Sequence, residues 1–152
     1  MNMTMQEIEI ESKPFGTITV PEQQIINFPL GLYGFEPYHE YALIDSRQPP
    51  FYWLQSVTEC HIAFVVINPY LIWPDYVLDI PEGDLIRIEQ PLSDDLLVFS
   101  IVTIPDDEAR ISCNLQGPLI MNRHRRLGVQ SISMDTRWKT KHFIMDAMNT
   151  QG

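Results

Sequence analysis

The chain has 152 residues, 45% hydrophobic and 20% charged, with seven Phe, six Tyr and three Trp. This composition fits one domain spanning residues 1–152 and excludes a disordered class. The formal net charge of −10 opposes contact with a nucleic-acid backbone over most of the surface and favours a basic partner. No segment approaches the ~20 apolar residues of a membrane span. The start of the chain, with Glu7, Glu9 and Glu11, lacks a secretory pattern. The protein is therefore expected in the cytoplasm, with Cys60 and Cys113 as reduced thiols.

In chain order, strand-like segments recur at short intervals with turn residues between them, the pattern of an all-β sandwich or barrel. Ile8 to Ile10 and Thr17 to Val20 alternate polar and apolar residues around Lys13-Pro-Phe-Gly16, which predicts a hairpin. Gln24 to Phe28 then runs into Pro29, Gly31, Gly34 and Pro37. Tyr41 to Ile44 and Phe51 to Val57 form two further strands in this reading. Ile62 to Ile67 is rich in β-branched and aromatic residues, as a strand buried on both faces would be. It cannot continue past Asn68, because Pro69 and Pro74 lack the ladder N–H. The enclosed Tyr70, Leu71, Ile72 and Trp73 either fold back onto the core or face a partner.

Tyr76 to Ile80 reads as a short extended piece, and Leu85 to Glu89 as either a strand or one helical turn. Leu96 to Ile104 is the strongest strand of the second half. Arg110 to Leu115, Leu119 to Met121 and Val129 to Ser133 follow, with the basic loop Asn122-Arg-His-Arg-Arg126 between the last two. About ten strands result. Apolar spacing from Thr136 to Met148 predicts a C-terminal helix capped by Asp135 and stopped at Gly152, with residues 143–152 as a helix or an extension.

Assembled chemistry is missing from this pattern. His39, His61, His124 and His142 are scattered, and Cys60-His61 on a strand edge would point to opposite faces, so no metal site is expected. No Ser lies in a nucleophile elbow, neither Cys has an activating cation nearby, and no Gly-rich loop opens a helix. Asp94-Asp95 and Asp106-Asp107-Glu108 fall at turns, where solvated carboxylates are ordinary. Catalysis and cofactors are not expected. Charge is uneven, with 7 basic and 2 acidic residues in 110–152 against 3 and 18 before. Arg123, Arg125 and Arg126 form a solvated hairpin tip, serve phosphate, or balance the acidic half, and the sequence leaves the three readings open.

Three blocks go beyond generic β composition. They are FPLGLYGFE at Phe28 to Glu36, where paired glycines allow a tight turn, FYWLQS at Phe51 to Ser56, and AFVVINPYLIWPDY at Ala63 to Tyr76. Followed by LLVFSIVTIP at Leu96 to Pro105 and GPLIMN at Gly117 to Asn122, they make the chain resemble the bacterial flagellar assembly factor FliW family. The resemblance covers residues 8 to 142.

That resemblance implies a small, antiparallel, barrel-like all-β protein in the cytoplasm, a monomer or small oligomer without enzymatic activity. It implies two protein partners: flagellin, bound before export, and CsrA, a basic RNA-binding dimer that represses flagellin translation. The two compete, so exported flagellin frees the factor to antagonise CsrA. Among the matching positions, Phe35, Trp53, Asn68, Tyr70 and Trp73 are the candidate partner-binding residues, being aromatics near a polar amide. Two alternatives remain open here: a small RNA- or nucleotide-binding β-barrel using Arg123 to Arg126, and a subunit that self-assembles through strand edges.

Overall fold

The computed structural model describes residues 6–151, so the terminal stop expected at Gly152 lies outside the described residues. Strands β1 (Glu7–Ser12) and β2 (Gly16–Pro21) form the expected hairpin, in register from Glu7 opposite Pro21 to Ser12 opposite Gly16. Strands β3 (Ile25–Asn27), β4 (Glu40–Asp45), β5 (Tyr52–Ser56), β6 (Ala63–Ile67) and β7 (Leu96–Thr103) pair antiparallel in succession. After β8 (Ser112–Cys113), β9 (Leu119–Asn122) and β10 (Leu127–Gln130) make a second hairpin. β9 pairs with the first half of β7, and β10 pairs with β3, which closes seven strands into a barrel. The predicted barrel is thus antiparallel except at one seam, where Leu127 of β10 lies parallel to Asn27 of β3.

Strand alternation builds a core on each side of this closed sheet. Inside it pack Ile26, Tyr41, Leu54, Val66, Phe99, Leu119 and Met121, with Phe28 and Leu32 from the following loop. Gly128 of β10 lets the Phe28 ring lie against the barrel wall, since a Cβ there would stand 2.5 Å from a ring carbon. The outer faces carry separate clusters. Ile25, Ala42 and Ile44 are covered by Ile10 and Val20 of the β1–β2 hairpin. Ile120 and Val129 are covered by Ile88.

Gln55 ties the hairpin to the barrel. It is fully buried, and its Oε1 accepts from the Lys13 N–H at 2.8 Å. Its Nε2 donates to the carbonyls of Ser56 and Cys60, each at 3.0 Å, and of Ile62 at 3.3 Å. One amide thereby bonds backbone groups of the β1–β2 turn and of the β5–β6 connection.

Of the two readings open for Leu85 to Glu89, the helical turn forms: Leu85 to Arg87 end helix α1 (Glu82–Arg87), with Glu82 and Asp84 in its first turn and Arg87 in its last, the charge order the helix dipole favours. Several other sequence expectations are corrected. Tyr76 to Ile80 joins no ladder. β10 spans Leu127–Gln130 instead of Val129 to Ser133: the N–H groups of Ser131 and Ser133 still bond the carbonyls of Pro118 and Gln116 opposite them, but Pro118 has no N–H to return and that of Gln116 goes to the Lys139 carbonyl. Only Ser112–Cys113 of the Arg110 to Leu115 segment is strand, a 3-10 turn occupying Glu108–Arg110. The helix predicted over Thr136 to Met148 begins at Ile144: strand β11 (His142–Phe143) pairs with β8, and α2 is Ile144–Gln151. Sheet pairing takes the segment that helical spacing claimed. Asp135 caps no helix; its carboxylate accepts from the Arg137 N–H at 2.9 Å in a local turn. In all, eleven strands form among the described residues, two of them only two residues long.

The aromatic block after β6 divides between the two roles open to it. Asn68 caps a 3-10 turn (Pro69–Leu71) by accepting from the Tyr70 N–H at 3.0 Å. Trp73 and Tyr76 then fold back into a cluster with Ile67, Val102, Cys113, Leu115, Trp138 and Ile144. The Tyr76 hydroxyl donates to the Leu115 carbonyl at 2.9 Å, and its ring meets Trp138 edge-on at 4.9 Å. Tyr70 and Leu71 stay exposed.

His142 joins the tail to this cluster, 6.0 Å from Trp73 and 5.7 Å from Trp138 between ring centroids. Its Nε2 accepts the Lys139 N–H at 2.7 Å, a bond that requires the neutral ring. Burial, aided by the nearby Lys139 charge, holds its pKa below the ordinary value of 6.5. Burial likewise pushes the Cys113 thiol up to about 12, so that sulfur behaves as a core atom.

Two outcomes are expected. Gln55→Leu should lower unfolding free energy by about 2–3 kcal/mol in urea titration, because it strands the Lys13 donor and carbonyls near Cys60. A histidine held neutral contributes stability above the unfolded pKa that is lost as pH falls. Melting temperature should therefore fall as pH drops below 6.5, and His142→Gln should flatten that slope.

Candidate partner-binding surface

The five residues singled out by the sequence occupy different parts of the barrel. Phe35 is half-buried against the interior cluster, its ring edge-on to Phe64 at 5.0 Å. Trp53 lies on the outer face of β5, packed under the β1–β2 hairpin. Trp73 is 9% exposed. Only Asn68 and Tyr70 come together at the surface, where they line a groove of about 150 Å³ with Leu96, Leu97, Val98 and Phe99 of β7. Burial and desolvation raise the Tyr70 pKa, so its hydroxyl stays protonated at the groove wall.

The loop after β3 presents large apolar side chains that sequence reasoning did not select. Leu30 is 54% exposed and Tyr33 59%. Successive turns hold them: Gly31 N–H donates to the Phe28 carbonyl at 2.8 Å, and Phe35 N–H to the Leu32 carbonyl at 2.8 Å. The Tyr33 N–H donates to Oε1 of Gln130 at 3.0 Å, which fastens the loop to β10. Gly31 sits at φ +67, and a Cβ there would come within 2.6 Å of the Glu36 carbonyl oxygen. The turn therefore closes only on glycine. Bonding to backbone N–H groups, chiefly that of Gly34, holds the Glu36 carboxyl below its ordinary pKa. An ordered apolar pair beside a fixed anion results. The signal for it was the FPLGLYGFE block itself, where Phe28 and Leu32 go inward while Leu30 and Tyr33 go out.

The basic loop between β9 and β10 faces acidic groups from the first part of the chain. Arg123 stands 3.5 Å from Asp95, Arg125 3.6 Å from Glu89, and Arg126 3.6 Å from Glu22. These exposed pairs are individually weak, but each guanidinium has a carboxylate within the molecule. The cluster is an exposed hairpin tip whose charges face the acidic half, which joins two of the three roles open to it in the sequence. Among the described residues, no three His, Cys, Asp or Glu side chains gather as a metal site, and no helix is long and apolar enough to cross a membrane.

Comparison with known proteins follows the barrel closely. Residues 9–144 match the family model described as FliW protein. The flagellar assembly factor FliW of Treponema denticola is 45% identical over 145 residues, 95% of this chain and 99% of the relative. That of Treponema pallidum is 45% identical over 141 residues, 93% of this chain and 94% of the relative. A crystal structure of the flagellar assembly factor FliW superposes with a TM-score of 0.84 at 33% identity, covering 90% of this chain and 96% of that one. The matched span runs from the first hairpin to the start of α2 and contains every strand that closes the barrel. With more than half its length inside that model and relatives above one-third identity across nearly all of it, the chain belongs to the FliW protein family.

Proposed function

We propose that this chain is a cytoplasmic flagellar assembly factor that acts by occupying protein partners, flagellin and the translational regulator CsrA, each excluding the other. The single observation that carries this reading is the FliW match over residues 9–144. The surface supports it. A net charge of −10 suits a basic regulator and would raise the cost of RNA approaching beside the docked protein. Leu30, Tyr33, Tyr70 and Leu71 offer exposed apolar area on hydrogen-bonded turns, so little ordering entropy is lost on contact.

Of the five sequence-selected residues, Asn68 and Tyr70 touch the partner in this proposal. Phe35, Trp53 and Trp73 shape its surface from beneath. Leu30 and Tyr33 join the contact set.

Calorimetry with purified flagellin and with CsrA tests the reading. Each should bind alone, and saturation with one should suppress binding of the other; heat from neither would end the proposal. Leu30→Ala combined with Tyr33→Ala should weaken binding of at least one partner about tenfold and leave the melting curve unchanged. Trp73→Ala should instead cost about 3–5 kcal/mol of stability, read by denaturant titration, because its ring is in the core.

A further inference from the structure

The ladder of the closed barrel has a gap along the first half of β7. β6 pairs with β7 only from Ile67 opposite Ser100 to Val65 opposite Val102. In that register the next hydrogen-bonding position of β6 opposite Val98 would be Pro69, which has no N–H and starts the 3-10 turn instead. Leu96 to Phe99 therefore pair with β9 on one edge and with no strand among the described residues on the other.

Backbone direction along β7 identifies the groups left open. The Asp95 carbonyl accepts from the Arg123 N–H at 2.8 Å, and the Ile101 carbonyl from the Asn114 N–H at 2.9 Å, both on the β9 and β8 side. Alternation then aims Leu97 and Phe99 at β9, and turns the N–H and C=O of Leu96 and Val98 toward the gap. The gap is the groove walled by Asn68 and Tyr70, with half-buried Leu97 and Val98 along it. Unpaired strand edges bounded by apolar side chains take up extended polypeptide, the backbone supplying hydrogen bonds and alternate side chains filling the groove.

We propose that this gap is a strand-addition site: an extended segment of a protein partner, apolar at alternate positions, pairs antiparallel with Leu96–Phe99 as β6 would have done. Its C-terminal end then lies beside Asp94, whose carboxylate makes no ion pair among the described residues, so a cation is favoured there. The site rests on the reading that the chain acts by binding proteins, and it says which chemical form of partner it binds.

The test uses the full chain and the peptide Thr-Val-Thr-Val-Thr-Lys, blocked at both ends, with amide shifts and hydrogen exchange read by NMR. The peptide should perturb Leu96, Val98 and Tyr70 and slow exchange of the Leu96 and Val98 amides, while Leu97 and Phe99 are slow throughout. Val98→Pro removes one gap-facing donor without touching the β9 ladder and should weaken the peptide about tenfold. Val98→Thr keeps the donor and should retain binding; matched melting curves establish that both variants fold. Absence of peptide-induced change at Leu96 and Val98 overturns the proposal. So do equal affinity of the peptide and its backbone N-methylated form, and concentration-dependent shifts at these amides without peptide, which would assign the gap to a second copy. The arms separate the two readings: flagellin or CsrA that binds by calorimetry while the Leu96 and Val98 amides stay unprotected refutes the strand site and leaves the proposed function standing. Peptide binding without either protein does the reverse.

Discussion

Everything in this molecule depends on the double use of β7. Its second half pairs with β6 on one edge, while β9 followed by β8 take the other edge. Closing a sheet removes the long exposed edges that would template aggregation, and it does so here with strands of only three to eight residues. Without the β7–β9 pairing the remaining strands would form an open sheet with an apolar inner face, and the Phe28–Tyr41–Phe64 arrangement inside would meet water.

Closure also creates a problem that the connecting segments solve. Strands buried on the inner face still carry apolar residues outward, as Ala42 and Ile44 do on β4 and Val65 and Ile67 on β6. The β1–β2 hairpin, α1 and the aromatic block joined to the tail each cover one such area. Their anchors are polar: Gln55 under the hairpin, Asn122 donating to the Ile88 carbonyl at 2.7 Å beside α1, and the Tyr76 hydroxyl on Leu115. Buried hydrogen bonds between distant segments fix where each cover sits, because an unmet backbone group in those places is costly.

Much of the fold was legible because local chemistry and tertiary structure agree in most segments. The alternation of Ile8 to Ile10 and Thr17 to Val20, and the prolines at 69 and 74, have a direct backbone meaning that context does not alter. The tail was misread for the opposite reason. Phe143, Ile144, Ala147 and Met148 have helical spacing, yet the stretch from Trp138 to Phe143 joins no helix, since the Lys139 carbonyl is taken by the N–H groups of Leu115 and Gln116 and His142–Phe143 by β8. Those partners are distant in sequence and invisible to periodicity. The candidate surface was legible only in part, since aromatic type identifies residues able to form contacts but not their exposure. Tyr70 and Trp73 share one short block; a capped 3-10 turn sends the first outward and the second inward.

The meeting of Gly128 with the Phe28 ring has a consequence for how such a chain can vary. Any side chain at 128 requires a smaller group at 28, and a smaller group at 28 leaves an empty space that only a residue at 128 or its neighbours can refill. The seam where β10 meets β3 is thus a lock and key cut from opposite ends of one polypeptide, and drift at either position is tolerated only when the other changes with it.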